Sequence, residues 1–190
     1  AEARRHLLAG ARLKQLLCRK ESAAIAQMGS ILVTTLWRGG RLYFCGNGGS
    51  AADAQHIAAE LIGTFQDRGR RALPAVALTT DSSILTAVAN DLGYAEVFAR
   101  QVEALVTQRD VLVCLSTSGR SENVLAAARA AHKQGARVLA LTGTPGEPLA
   151  SLADLAVRVP SRDTQRIQEC HIAIGHILCA AVERAYAKKR

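Results

Sequence analysis

The sequence predicts an α/β fold: a five-stranded parallel sheet flanked by helices, with an N-terminal helical hairpin added to it. Three observations carry this. Short apolar strands alternate with helical segments through short loops, the pattern of strands joined by helical crossovers. The 190 residues are 49% hydrophobic yet only 4% aromatic, which suits a core of small aliphatic side chains. A strand, a Gly/Ser-rich turn and a helix follow one another twice, at 41–65 and at 110–134.

Residues 3 to about 38 have helical periodicity, and the polar run at Glu21–Ser22 predicts a break into two helices. An apolar stripe on such a hairpin must be covered, which points to a partner subunit. "RLYFC" (41–45) is a β-prone run entering a glycine turn, and 50–65 is Ala-rich and helical. "LPAVALT" (73–79) reads as a buried strand, 82–93 as a helix ending at Gly93, and 94–107 as helical again. "DVLVCLS" (110–116) is the clearest buried strand, followed by a serine-rich turn and the helix "ENVLAAARAAHKQ". "ARVLALTG" (136–143) and "LAVRVP" (155–160) complete the sheet, and the last helix covers about 163–187. No Pro/Ser/Gly linker divides the chain, so 1–190 reads as one domain, with 1–38 as oligomer contact and 39–190 as the α/β core.

Composition excludes several function classes. No apolar run is long enough for a membrane span, and the amphipathic start lacks the apolar block of a signal peptide, so a cytoplasmic protein is expected. The five cysteines are scattered without a CxxC pair, which argues against a zinc ribbon or disulfide scaffold. The net charge of +8 comes from dispersed groups ("ARRH", "RGRR" at 68–71, "KKR") with no basic stripe interleaved with aromatics. A solvated surface that attracts anionic metabolites explains it better than nucleic acid.

Three constellations carry chemistry. In "CGNGGSAADAQHIAAEL" (45–61), Gly46, Asn47, Gly48 and Gly49 lie between a strand and a helix, where backbone N–H groups can approach an oxyanion. Gly46, Gly48 and Ala51 formally fit the dinucleotide pattern, but only Asp81 could supply its acidic residue; a turn without ligand is the plainer alternative. In "LSTSGRSEN", Ser116, Thr117, Ser118 and Ser121 surround Gly119, and four hydroxyls at a helix start suit a phosphate monoester. Ser118 or Ser121 could instead simply cap the helix. Third, His56 and Glu60 share a helix face at i, i+4, and "RIQECHIAIGHILC" offers Gln168, His171 and His176. Gln168 and His176 lie within about 80° of each other on a helix. Imidazole and carboxylate suit zinc, while spacing alone equally allows a surface His–Glu pair and core histidines.

Together with "ALTTD", "LTAVANDLGYAEVFARQVEAL" and "ALTG", these segments resemble the sugar isomerase (SIS) superfamily, on its branch that acts on seven-carbon sugar phosphates. The resemblance runs from 41 to 182, while the N-terminal helices match in character only. It implies the flavodoxin-like SIS sandwich, a homotetramer with active sites shared between subunits, and zinc. It implies interconversion of sedoheptulose 7-phosphate and D-glycero-D-manno-heptose 7-phosphate, the first step toward the nucleotide-activated heptose of lipopolysaccharide cores. Carried across by position, Glu60 is the general base and His176 the general acid. His56, Glu60, Gln168 and His176 are the zinc ligands, and Ser116, Thr117, Ser118 and Ser121 the phosphate cradle. Asn47, Gly48, Gly49, Asn90, Asp91, Glu60 and Gln168 are sugar contacts. Two positions depart from the pattern: Arg120 replaces an Asn of the phosphate loop, and Thr64 an Arg after the helix that carries Glu60. A non-catalytic superfamily member, which associates with a bacterial replication initiator, lacks the matching Glu and second His; both are present here.

Overall fold

In the computed structural model, which describes residues 1–144 and 146–187, five strands form one sheet. They are β1 (Leu42–Cys45), β2 (Ala75–Ala77), β3 (Val111–Ser116), β4 (Arg137–Gly143) and β5 (Leu155–Val159). All neighbours pair in parallel, in the order β2-β1-β3-β4-β5. Central β3 is buried at all six residues because helices cover both of its faces, whereas Val76 on edge strand β2 is exposed.

The helices are α1 (Glu2–Trp37), α2 (Gly49–Ile62), α3 (Ser82–Leu92), α4 (Ala99–Leu105), α5 (Glu122–Lys133), α6 (Leu149–Leu152) and α7 (Thr164–Ala187), with one 3₁₀ turn at Tyr94–Glu96. The period-two pleat sends Leu42 and Phe44 to one side with α1, α2 and α7, and Tyr43 and Cys45 to the other with α4 and α5. Ala127, Ala128 and Ala131 let α5 lie close on that second face.

The expected hairpin is a correction: α1 is one continuous helix through Glu21–Ser22. No Pro and no left-handed residue interrupts it there, and the polar run lies largely on its outer face. Its second half is buried through Ile25, Met28, Leu32 and Leu36, while Leu7 and Leu8 near its start are exposed. The four-residue α6 lies in what reads as a plain turn, and the terminal "KKR" lies outside the described residues.

His171 is fully buried beneath the sheet, with Nε2 3.3 Å from the Thr142 carbonyl oxygen. Burial pushes its pKa down to about 4, the carbonyl contact only partly offsetting this. The unfolded chain takes up a proton near pH 6.5 that the folded chain refuses until about pH 4, so this group removes stability as pH falls between those values. From pH 7 to pH 5 the expected loss is about 2 kcal/mol, at about 1.4 kcal/mol per pH unit below the unfolded pKa. Urea unfolding at the two pH values checks it: His171→Leu should remove most of the difference.

Candidate active site at the sheet switch point

Strand order reverses between β1 and β3, and in open α/β sheets a crevice forms there, outside the carboxyl ends of the strands. The glycine turn follows β1 and the serine loop follows β3, so topology alone brings these two segments together. The register pairs Cys45 directly with Cys114 just before the two loops. A reciprocal amide pair then joins the loops: Asn47 Nδ2 donates to Asn123 Oδ1 at 2.8 Å, and Asn123 Nδ2 to Asn47 Oδ1 at 2.9 Å. The Tyr94 hydroxyl also donates to Asn47 Oδ1, at 3.1 Å.

In the serine loop, Gly119 has φ +68° and faces the Gly146 backbone, and a Cβ there would lie 2.1 Å from the Gly146 oxygen. Only glycine fits. The Ser116 and Ser121 hydroxyls are 3.2 Å apart, and Ser116 Oγ accepts from the Gly119 N–H. Ser118 Oγ accepts from the Arg120 N–H. Ser121 occupies the N-cap position of α5 but makes no side-chain cap bond. The capping alternative therefore does not account for its hydroxyl, which points at Ser116 instead. Arg120 is exposed at the rim.

The opposite wall is made by α2 and α7, which run side by side in the same direction. The contacts Gly49/Gln168, Ile57/Gly175 and Phe65/Glu183 advance together along both helices. A Cβ at Gly49 would lie 2.6 Å from Gln168 Nε2, so glycine lets the amide rest on the start of α2. Two turns on, His176 Nε2 is 3.1 Å from His56 Nε2, and His56 Nε2 is 3.2 Å from Glu60 Oε1. One ligand atom from each of His56, Glu60 and His176 falls within 4.8 Å of the others. Residues 120 positions apart thus meet.

This donor set of two imidazole nitrogens and one carboxylate oxygen fits a zinc-type cation. Asp53, on the same face of α2 as His56 and Glu60, has its Oδ2 buried with no hydrogen-bond partner among the described residues. Burial pushes the Asp53 carboxyl above its ordinary range, against the pull of His56 and His176. Gln168 lies at the glycine-turn end of this wall, against Gly49. His171 faces the sheet and takes no part.

Asn90 and Asp91 lie exposed on α3, where Asn90 Nδ2 donates to Asp91 Oδ1 at 2.7 Å. Asp81, the candidate acidic partner of a dinucleotide, is instead the N-cap of α3 and accepts from the Ile84 N–H at 2.9 Å.

The SIS-domain family profile matches residues 8–143. The phosphoheptose isomerase of Aquifex aeolicus (strain VF5) is 52% identical over 165 residues, covering 87% of this chain and 86% of that protein. That of Helicobacter pylori (strain Shi470) is 54% identical over 159 residues, covering 84% of this chain and 82% of that protein. The chain belongs to the phosphoheptose isomerase family. The solved phosphoheptose isomerase from Neisseria gonorrhoeae superposes with a TM-score of 0.91 at 42% identity, covering 96% of this chain and 97% of that one. Thr64 is exposed.

Five residues near the site escape a reading of the sequence. Asp53 had a signal, lying three residues before His56 on one helix face, and Asn123 closes the quoted "SEN". Phe65 stacks on His176, while Arg70 and Glu183 are buried together; nothing in their spacing announces either contact.

Proposed function

We propose that the chain interconverts sedoheptulose 7-phosphate and D-glycero-D-manno-heptose 7-phosphate through an enediol, supplying heptose for activation toward lipopolysaccharide-type glycans. The observation that carries this reading is the meeting of Glu60 and His176, across His56, beside a crevice with a hydroxyl-lined loop. Family membership gives the substrate class. Following sedoheptulose 7-phosphate by NMR with the purified protein tests it: aldose product is expected, and its absence with folded, zinc-supplemented protein overturns the reading.

Moving a proton between C1 and C2 needs a base over the carbons, an acid at the oxygens and shelter from water. In this reading Glu60 takes the proton from one carbon and returns it to the next, while His176 moves protons at the carbonyl and hydroxyl oxygens. Ser116, Thr117, Ser118 and Ser121 hold the phosphate, and Asn47, Gly48, Gly49 and Gln168 line the path of the sugar between the two ends. Binding energy at the phosphate thereby positions the reacting carbons. Zinc held by His56, Glu60 and His176, with Gln168 as the fourth donor that family resemblance implies, would supply Lewis-acid polarisation of the sugar oxygens.

Because Ser121 makes no cap bond, its hydroxyl can be removed without touching the helix. Ser121→Ala should raise KM about tenfold, the worth of one hydrogen bond to a charged group, with kcat and melting temperature nearly unchanged. Steady-state kinetics beside a thermal melt check this.

A homotetramer with shared sites is part of the reading. In its support, α3 buries none of its residues although Ile84, Leu92 and neighbouring Tyr94 are large and apolar. A groove of about 660 Å³ between α1 and α7 has an apolar lining that includes Leu17, Ile25, Val33 and Ile177. Asn90 and Asp91 on α3 would then meet sugar in an assembled site. The four buried and one exposed cysteines are all free thiols, which accords with the cytoplasm; among the described residues no helix is long and apolar enough to cross a membrane.

A further inference from the structure

The loop after α2 is fastened to α7 by one buried ion pair. Glu183 accepts from the backbone N–H groups of Phe65 (3.1 Å), Gln66 (2.7 Å) and Asp67 (3.1 Å), and from Arg70 Nε (2.7 Å). Arg70 donates onward to the carbonyl oxygens of Leu61 (2.8 Å), Arg71 (3.0 Å) and Glu60. Its guanidinium therefore closes the C-terminal end of the helix that carries Glu60. The two side chains are only 3% and 5% exposed, so the geometry is held in a setting where hydrogen bonds to charge are strong.

What this fastening delivers to the site is Phe65. Its ring stacks on the His176 imidazole, with centroids 5.7 Å apart and planes 20° from parallel. His56 meets the same imidazole edge-on, at 5.1 Å and 61°. His176 is only half-buried, and an imidazole on an open helix face turns freely about its terminal torsion, whose wells are broad. A flat ring against it removes that freedom.

We propose that Glu183 and Arg70 are positioning residues, acting through Phe65 on the ring of His176 and through the end of α2 on Glu60. The kinetic consequence rests on the isomerase reading; the effect on the His176 ring does not. The test uses the full chain. In chelator-stripped protein, the His176 ring C–H signals are read by NMR and assigned by their loss in His176→Asn. Phe65→Leu removes the stacked ring current, so these signals should move downfield. In the zinc-supplied enzyme, kcat should fall about tenfold with KM within about twofold, as expected for a misoriented group away from the phosphate. Phe65→Tyr should restore both. Glu183→Gln should move the same signals in the same direction; should it fail to fold, Arg70→Lys, which keeps the charge but loses the fork that grips the α2 carbonyls, takes its place. Unmoved signals in folded Glu183→Gln, or in Arg70→Lys in its place, overturn the proposal, as do unmoved signals and unchanged kcat in Phe65→Leu. An inactive wild type with shifted signals in the variants would defeat the isomerase reading and leave the positioning intact.

Discussion

Glu60→Gln should lower turnover about 10³-fold while sedoheptulose 7-phosphate still binds, because general acid–base catalysis by a placed carboxylate is worth about 10²–10⁴. The amide keeps the size of the side chain and can still accept a hydrogen bond, but it cannot take a proton from carbon. Glu60 is half-buried, its Oε1 held 3.2 Å from His56 Nε2, so the exchange alters one contact at a partly open face and should shift the melting temperature little. The serine loop proposed to hold the phosphate lies between β3 and α5 and does not involve Glu60, which is why binding should survive. Product formation and calorimetric titration, run on one preparation, separate the two effects.

Glu183→Ala should be the most damaging substitution for folding. It strands the buried Arg70 guanidinium and leaves three backbone N–H groups without their acceptor. Breaking a buried pair from one side costs about 3–5 kcal/mol, a large part of a domain's stability. Burial by itself would push the Glu183 carboxyl up; the Arg70 hydrogen bond and the Phe65, Gln66 and Asp67 N–H groups outweigh it, and the carboxyl titrates below its ordinary range. Its stabilisation is therefore present above the ordinary carboxylate pKa and lost as pH falls through the depressed one. That window opens only near the bottom of the one set by His171, so above about pH 5 the stability change reports His171 and not Glu183. Urea titration at neutral pH checks the main effect, and a variant as stable as wild type would contradict it.

These two glutamates show what the sequence does and does not reveal. Glu60 is legible: it ends a run in which a strand, a glycine turn and an amphipathic helix each carry a local signature. The strands are legible for the same reason, since β3 and β4 are uninterrupted apolar runs between turn residues. Glu183 is not legible. In the sequence it is one more charge on a helical segment, and Arg70 belongs to an exposed-looking "RGRR"; only the parallel packing of α2 against α7 brings them into one buried contact. The single α1 is a subtler case, because a polar run on a helix face and a polar turn look alike until the outer face is known. His176 stands between. Spacing places it on the same helix side as Gln168 and allows two helices to present His/Glu and Gln/His to one point, but its meeting with His56 comes from the tertiary fold.

The pairing of Glu60 with the reacting carbons is tested most directly by solvent exchange. With wild-type enzyme in D₂O, deuterium should appear by ¹H NMR at C1 of sedoheptulose 7-phosphate and at C2 of the aldose over many turnovers. Glu60→Gln, shown by titration to bind the sugar, should incorporate almost none. Incorporation by that variant at the wild-type rate would contradict the assignment of Glu60 as the base.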